Sequence, residues 1–315
     1  MLLAFDDNSV LPRLFGEHDE HLARIEQGFG VELSSRGNRV AISGSPWATD
    51  AAKGVLESLY ARLARGGAAL STGEVEAAIR LRLQGFEGGG GHEIRTPKRR
   101  IEPRSATQAA YLRALAEHEL VFAIGPAGTG KTYLAVAKAV AMLVAGEVDR
   151  IVLSRPAVEA GERLGFLPGD LREKVDPYLR PLYDALHDMM PGDKVMRRLA
   201  DGDIEVAPLA FMRGRTLANA FVILDEAQNT SPMQMKMFLT RLGENARMVV
   251  TGDLTQIDLP RGVPSGLANA LKALEGVLGV KVIGFTKADV ARHELVTRIV
   301  EAYERHEATR KDGEP

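Results

Sequence analysis

Gly125-Pro126-Ala127-Gly128-Thr129-Gly130-Lys131-Thr132 decides how this chain folds. It is a complete G-x-x-x-x-G-K-T string between an apolar run, Leu120 to Ile124, and a helical stripe of Leu134, Ala137, Ala141 and Val144. A strand entering a glycine turn that opens a helix is the context such a loop needs. The glycines let backbone N–H groups curl around a β-phosphate where a Cβ would stand in the way. Lys131 is expected to reach the β and γ oxygens and the Thr132 hydroxyl to ligate Mg²⁺, while the amide dipoles at the helix start favour the negative charge. Gly146 supplies a helix end.

A second apolar run, Phe221-Val-Ile-Leu, stops abruptly at Asp225-Glu226-Ala227-Gln228. At the carboxyl end of a parallel strand, Asp225 would hold Mg²⁺ through water, and Glu226 would face the attacking water as general base or orienter. The two acids could instead cap the helix expected near Ser231-Pro232, but their pairing with the glycine loop favours metal and water. A third run, Met248-Val249-Val250, leads into Thr251-Gly252-Asp253-Leu-Thr-Gln256. There Gln256 would hydrogen-bond the γ-phosphate or the lytic water and sense hydrolysis. With Ile151 to Leu153 and Val280 to Ile283, these runs are apolar at consecutive positions. Such strands are buried on both faces, so the expected fold is α/β, a parallel sheet covered by helices.

Composition narrows the function classes. The 315 residues carry 40 Lys and Arg against 42 Asp and Glu, a net charge of −2, so no global positive field recruits nucleic acid or anionic membrane and any such contact is local. The absence of Cys excludes a disulfide scaffold, a thiolate zinc site and a cysteine nucleophile. The longest apolar stretch, Leu134 to Ala145, is too short for a bilayer and is interrupted by Lys138, and the N-terminal Met-Leu-Leu-Ala-Phe runs into Asp6 and Asp7. Neither a membrane span nor a signal peptide is expected, and a reducing cytoplasm fits. His18, His21, His92, His118, His187, His293 and His306 show no zinc spacing and read as structural or solvated. Met233, Met235 and Met237 read as core filling on the helix after Glu226.

Residues 1–84 read as a small α/β domain. Apolar Leu2 to Phe5 precede a helical stretch around Leu22 and Ile25. A hairpin follows, with Val31 and Leu33, turn residues Arg36-Gly37-Asn38, then Val40 and Ile42, before a helix bearing Val55, Leu56, Leu59 and Leu63. This helix-strand-strand-helix order resembles a KH domain, which clamps RNA backbone in a GXXG loop. At that place stands Gly16-Glu17-His18-Asp19, whose acids would repel phosphate. RNA binding and a packing or oligomerising role both stay open. Residues 85–104 read as a linker, glycine-rich from Gly85 to Gly91 and then basic at Arg95, Lys98, Arg99, Arg100 and Arg104, a run that is solvated or touches phosphate. The ATPase-type domain is expected over 105–305 and a flexible tail over 306–315.

The three boxes together resemble superfamily 1 helicase motors, and the text between them is similar to the PhoH-like ATPases. The likeness rests on Arg155-Pro-Ala-Val-Glu159-Ala-Gly161-Glu162, Leu164-Gly-Phe-Leu-Pro-Gly-Asp170-Leu and Pro208-Leu-Ala-Phe-Met-Arg213-Gly-Arg215-Thr-Leu. Thr107-Gln108-Ala-Ala-Tyr111 and Asp289-Val-Ala-Arg292-His293 extend it, so that it covers about 95 to 304. Glu294 follows Arg292-His293 where the family usually has Pro. The resemblance implies a RecA- or ASCE-type P-loop NTPase sheet, ATP and Mg²⁺ as cofactors, ATP hydrolysis in a bacterial cytoplasm and, by name, phosphate starvation. It also implies RNA unwinding or rRNA maturation beside an endoribonuclease or ribosome partner. By similarity Gln108 sits where helicases read adenine, with Tyr111 or its neighbours near the base; a helix-surface amide is the other reading.

Superfamily 1 motors bind ATP between two RecA-like domains, the second supplying an arginine to the γ-phosphate, and this chain has room for one. A homo-oligomer, such as a hexameric ring, would let Arg155, Arg213, Arg215 or Arg292 cross to the neighbour's ATP. Internal ion pairs are the alternative for each. From Pro156 to Pro191 five prolines predict a loop followed by a short helix over 181–190, where Arg163, Arg172, Lys174 and Arg180 could meet RNA backbone. The leading expectation is an RNA-acting ATPase or helicase; the alternative is an ATP-gated scaffold for a nuclease or ribosome. A P-loop kinase is disfavoured, since a Glu directly after the strand-end Asp activates water and no arginine-rich lid is apparent.

Overall fold

The computed structural model describes residues 1–66, 69–85, 93–156, 171–260, 262–290, 299 and 302, with backbone alone over 171–178. Contacts divide the chain into two units, Met1–Glu93 with Glu102–Ala110, and Ile94–Ile101 with Tyr111–Pro315.

The first unit runs β1 (Leu2–Ala4), α1 (Leu11–Phe15), α2 (Glu20–Phe29), β2 (Glu32–Arg36), β3 (Arg39–Ser43), α3 (Pro46–Ala64) and α4 (Thr72–Leu83). Its antiparallel sheet has the order β1-β3-β2, with Leu3 opposite Val40 and Leu33 opposite Ile42. Val40 and Ile42 point into a core shared with Leu14, Ile25, Leu56 and Val75. The hairpin and the helices around Ile25 and Leu56 fall where the apolar spacing puts them. Helices α1 and α4 were not expected. The first is barely more than a turn long, whereas α4 had a readable start: Ser71 and Glu74 form a capping box at its N-terminus. The tetrapeptide Gly16 to Asp19 links α1 to α2, with Gly16, His18 and Asp19 all at positive φ (78°, 53° and 59°).

The second unit holds a six-stranded, wholly parallel sheet. Its strands are β6 (Leu120–Ile124), β7 (Arg150–Arg155), β8 (Ile204–Pro208), β9 (Ala220–Leu224), β10 (Arg247–Gly252) and β11 (Val280–Gly284), in the order β11-β6-β10-β9-β7-β8. Helix α5 (Ala106–Glu117) precedes β6, and α6 (Lys131–Ala145) follows it. Then come α7 (Leu171–Met189) and α8 (Gly192–Asp201) before β8, α9 (Pro232–Leu239) after β9 and α10 (Gly266–Ala273) after β10. Strand residues of one parity, among them Phe122, Val152, Val222 and Val250, pack with Met235, Phe238 and Leu267 of α9 and α10. The opposite face, with Val121, Ile151, Phe221 and Val249 all at most 1% exposed, lies under α6 and α7. Burying side chains of this size stabilises by about 1.5–3 kcal/mol each, so a charge on either face of β6, β9 or β10 would be costly. The sheet is the RecA-like, P-loop NTPase arrangement expected. No helix among the described residues is long and apolar enough to cross a membrane.

Four local features differ from the sequence expectation, the first being that Met233, read as core filling, is exposed in the first turn of α9 while Met235 is buried. Strand β8 was unforeseen because Ile204-Glu-Val-Ala-Pro208 occupies an edge, where only Ile204 and Pro208 are buried and a terminal Pro is tolerated. Helix α7 begins ten residues before the short helix read from the prolines: Pro177 and Pro181 sit inside it, and burial of Leu179, Leu182, Leu186 and Met189 outweighs the hydrogen bonds they forgo. Residues 94–101, read as linker, contain the antiparallel pair β4 (Ile94–Arg95) and β5 (Arg100–Ile101), because Ile94 and Ile101 face each other and are both buried. The cations of this hairpin are put to structural use. Lys98 Nζ donates to the His187 carbonyl (2.7 Å), a cation at the last turn of α7. Arg99 Nε donates to Asp188 Oδ1 (2.8 Å), whose other oxygen takes the Tyr133 hydroxyl (2.7 Å).

Burial raises the Asp188 carboxyl, but the hydrogen bonds from Tyr133 and Arg99 outweigh it and hold the group below the usual aspartate range. A carboxylate depressed in the folded state contributes stability above its unfolded pKa and loses it as pH falls through the folded value. Asp188→Asn is therefore expected to lower the thermal midpoint at neutral pH. The gap to wild type should close as pH falls through and below the depressed Asp188 value, where both proteins lack the charge, as a pH series of melting curves would show.

Candidate active site

Three parallel strand ends meet at one rim of the sheet. Strand β10 lies between β6 and β9 and pairs with both, so the loops after β6, β9 and β10 become neighbours, with the end of β7 beside β9. They line a cavity of about 690 Å³, within the ordinary range for a small-molecule site. Ala127, Gly128, Gly130, Lys131, Thr132, Asp225, Glu226 and Gln256 all face it, so the three sequence boxes converge.

The glycine loop has the shape the motif requires. Gly128 and Gly130 hold positive φ (81° and 83°), which turns successive N–H groups toward one concavity at the start of α6. Gly125, at φ 144°, is pressed against the chain after β11: a Cβ there would stand 2.3 Å from the Phe285 carbonyl oxygen. Thr129 Oγ1 donates to the Pro126 carbonyl (2.9 Å). Lys131 Nζ folds back to donate to the Gly125 and Pro126 carbonyls (2.6 and 2.8 Å), so phosphate oxygens would take over from them. Beneath the loop, Tyr111 is fully buried, edge-on to Phe285 at 5.5 Å, and its hydroxyl donates to the Lys131 carbonyl (3.2 Å). Burial, and then the charge of Asp225, push this phenol well above its ordinary range, so it remains a donor. Tyr111 thus braces the loop and offers no exposed ring face for a base. Gln108, of the other contact unit, is also buried, and its Oε1 accepts from the Arg104 N–H (2.7 Å).

Asp225 follows β9 directly, its N–H continuing the ladder to the Ser154 carbonyl (2.9 Å). Its Oδ1 accepts from two hydroxyls, Thr132 Oγ1 and Thr251 Oγ1, both at 2.6 Å. Thr251, wholly buried at the end of β10, is a residue the sequence reading quoted without a role. A threonine inside an apolar strand looks like β-propensity, and the readable signal was its place directly before Gly-Asp. Glu226 adopts a left-handed backbone (φ 52°) and turns its carboxylate to Arg155 Nη2 (3.3 Å) and to Gln228 Nε2, which donates to Oε2 (2.6 Å). Gln256 is exposed into the cavity, and its Nε2 donates to Asp253 Oδ2 (2.9 Å).

The cavity lining holds Asp184, Asp188, Asp225, Glu226 and Asp253 against Lys131 and Arg155. A polyphosphate entering so acidic a wall needs a divalent cation with it. The oxygens of Thr132 and Asp225 suit a hard ion such as Mg²⁺, which takes one or two side chains and completes its shell with phosphate and water. The remaining arginine candidates separate clearly. Arg215 is clamped by Glu205 (Nη1 to Oε1 2.7 Å, Nη2 to Oε2 2.6 Å), and that hydrogen bonding holds its pKa above the ordinary arginine value. Arg213 is exposed, with no hydrogen bond or ion pair among the described residues. Arg292 and Arg163 lie outside the described residues, as do the side chains of Arg172 and Lys174.

Removing the Thr251 hydroxyl leaves Asp225 Oδ1 with Thr132 alone, a partner it must give up if Thr132 turns to the metal. Thr251→Val is therefore expected to raise the Mg²⁺ concentration needed for half-maximal binding of a fluorescent ATP analogue by about 10-fold. Binding without Mg²⁺ should change little; a Mg²⁺ titration of the fluorescence checks both.

Comparison with known proteins places this geometry in a family. Residues 100–304 match the family model described as PhoH-like protein. The chain is 51% identical over 298 residues to the PhoH-like protein of Bacillus subtilis (strain 168), covering 93% of each chain. It is 50% identical over 300 residues to the PhoH-like protein of Mycobacterium tuberculosis (strain ATCC 25618 / H37Rv), covering 93% of this chain and 85% of that one. It is 51% identical over 206 residues to Protein PhoH of Escherichia coli (strain K12), covering 64% of this chain and 58% of that one. Among solved structures, a Sulfolobus solfataricus SWI2/SNF2 ATPase core in complex with dsDNA aligns at 18% identity and a TM-score of 0.34, over 51% of this chain and 33% of that one. On the length and identity of these matches, the chain belongs to the PhoH-like protein family.

Proposed function

We propose that this chain is an Mg²⁺-dependent ATPase that acts on RNA, working as a homo-oligomer. The observation that carries the ATPase reading is the placement of Glu226: it directly follows Asp225, lines the same cavity as Lys131 and Thr132, and is aimed by two partners rather than left to solvent. Bound ATP·Mg²⁺ supplies a γ-phosphoryl group whose charge the ion neutralises. The chain does the rest. N–H groups at the start of α6 hold the phosphates, and Lys131 exchanges two backbone carbonyls for phosphate oxygens. Thr132 directly and Asp225 through water would hold the metal. Glu226 takes a proton from water as the new P–O bond forms and the bond to the leaving diphosphate oxygen breaks. Gln256 reads the γ position.

The RNA reading is supported by the motor-type strand order, in which the Gln256 loop sits between the glycine loop and the Asp-Glu strand, and by the βααββαα order of the first unit, whose first six elements resemble a KH domain. The acids at Glu17 and Asp19 argue against that unit gripping phosphate through its α1–α2 loop. Arg213 is the arginine we assign to a neighbour's γ-phosphate, being the described candidate that is exposed without a partner.

Steady-state ATP hydrolysis with and without single-stranded RNA, recorded with mass by light scattering, tests this. Glu226→Gln is expected to lower kcat by about 10²–10⁴-fold. RNA should raise the wild-type rate, and the active species should be oligomeric. Arg213→Ala should lose hydrolysis and keep nucleotide binding, with activity returning in mixtures with Glu226→Gln, whose intact arginine serves the other protomer's site. A monomer turning over at full rate would sink the oligomer. A rate that needs Glu226 and ignores RNA would instead mark a scaffold switched by a protein partner.

A further inference from the structure

We infer that Gln228 is a positioning residue that makes the readiness of Glu226 depend on the loop carrying Gln256. The inference rests on the ATPase reading above and deepens it. Gln228 is 1% exposed, and both ends of its side-chain amide are engaged. Nε2 donates to Glu226 Oε2 (2.6 Å), while Oε1 accepts from the Asp253 N–H (3.0 Å). A flipped amide would set oxygen against carboxylate and N–H against N–H, so the chemistry of the two partners fixes the orientation. The planar amide is then a short rigid link between the strand end that carries Glu226 and the strand end that carries the Gln256 loop.

Asp253 extends the link. It is buried, its Oδ1 accepts from the Thr255 N–H (2.9 Å) and hydroxyl (2.7 Å), and its Oδ2 accepts from Gln256 Nε2 (2.9 Å). Gln256, exposed in the cavity, is therefore joined to Glu226 through Asp253 and Gln228 without a solvent-filled gap. The frame around Gln228 is stiff: its own carbonyl accepts from Ser265 Oγ (2.8 Å). Gly252 is the residue that lets the amide lie so close to β10, since a Cβ there would stand 2.9 Å from Gln228 Oε1 and 2.5 Å from Leu267. Glu226 leaves β9 in a left-handed conformation that a glutamate adopts only when its surroundings impose it. Arg155 holds one of its oxygens and Gln228 the other. When Gln256 moves to meet a γ-phosphate, Asp253 moves with it, and the donor that aims Glu226 shifts. A simple strut would fill the same space without transmitting anything, so the test must read coupling.

The experiment is a double-mutant cycle on ATP hydrolysis by the full-length protein with Gln228→Met and Gln256→Ala, reading kcat, KM and the affinity for a fluorescent non-hydrolysable ATP analogue. Each single variant is expected to lose about 10–100-fold in kcat while analogue affinity stays within about threefold. The double variant should be no slower than the slower single one, as residues of one unit behave. Losses that multiply in the double variant, or a Gln228→Met loss matched by lost affinity, overturn the relay. Gln228→Glu guards against a variant that fails to fold: it keeps the acceptor for Asp253 N–H and loses the donor to Glu226. Its kcat relative to wild type is expected to rise toward acidic pH, as the new carboxyl gains a proton to donate; a flat ratio overturns the relay too. Wild type that hydrolyses through Glu226 with a multiplicative cycle refutes the relay alone, and wild type without hydrolysis refutes the ATPase reading as well.

Discussion

Strand β10, hydrogen-bonded along one edge to β6 and along the other to β9, is the constraint on which the rest of the second unit depends. Parallel pairing puts all carboxyl ends on one rim, and the insertion of β10 between the other two brings the glycine loop, the Asp225-Glu226 step and the Asp253–Gln256 loop within hydrogen-bond reach of one another. Thr251 shows what this neighbourhood does. Its hydroxyl, carried by β10, reaches sideways to a carboxylate carried by β9, which also holds a hydroxyl from the helix after β6. One buried oxygen thereby ties three strand ends together. A different strand order would leave each box intact in sequence and useless in space.

Electrostatics give the site its second character. The wall is more acidic than basic, and the cation best placed for phosphate, Lys131, is occupied with backbone carbonyls. Such a cavity is poorly suited to a bare polyanion and well suited to one that arrives with a hard divalent ion. The positive charge that composition places just upstream goes elsewhere: Lys98 and Arg99 close the end of α7 through His187 and Asp188. A basic run in a sequence is thus a weak guide to phosphate, because a nearby helix end and a partly buried acid compete for the same cations.

How legible the molecule was in its sequence follows from the range of the forces involved. The strands β6, β9 and β10 were readable because burial on both faces demands consecutive apolar residues, and α6 because its glycine start and 3.6-residue stripe are local. In the first unit, β2, β3 and α3 were readable on the same ground. Strand β8 was not, since an edge position relaxes the pattern. Nor was the length of α7, where tertiary burial of Leu182 and Leu186 overrides two prolines that locally argue for a loop. The hairpin at 94–101 was hidden by charge, although Ile94 and Ile101 carried the signal.

By itself the sequence determined which atoms are available for chemistry. The glycine loop with Lys131 and Thr132, the Asp225-Glu226 step and Gln256 are contiguous motifs whose residue types follow from what a polyphosphate, a hard cation and a water molecule require. The tertiary structure decided how those atoms are held. That Tyr111 braces the loop instead of presenting a ring, that Thr251 shares Asp225 with Thr132, that Arg215 is spent on Glu205 while Arg213 stands exposed, and that Gln228 spans from Glu226 to Asp253 are matters of packing between segments far apart in the chain. No local pattern encodes them, because a side-chain hydrogen bond depends on where two strands end relative to each other, and only the folded sheet sets that.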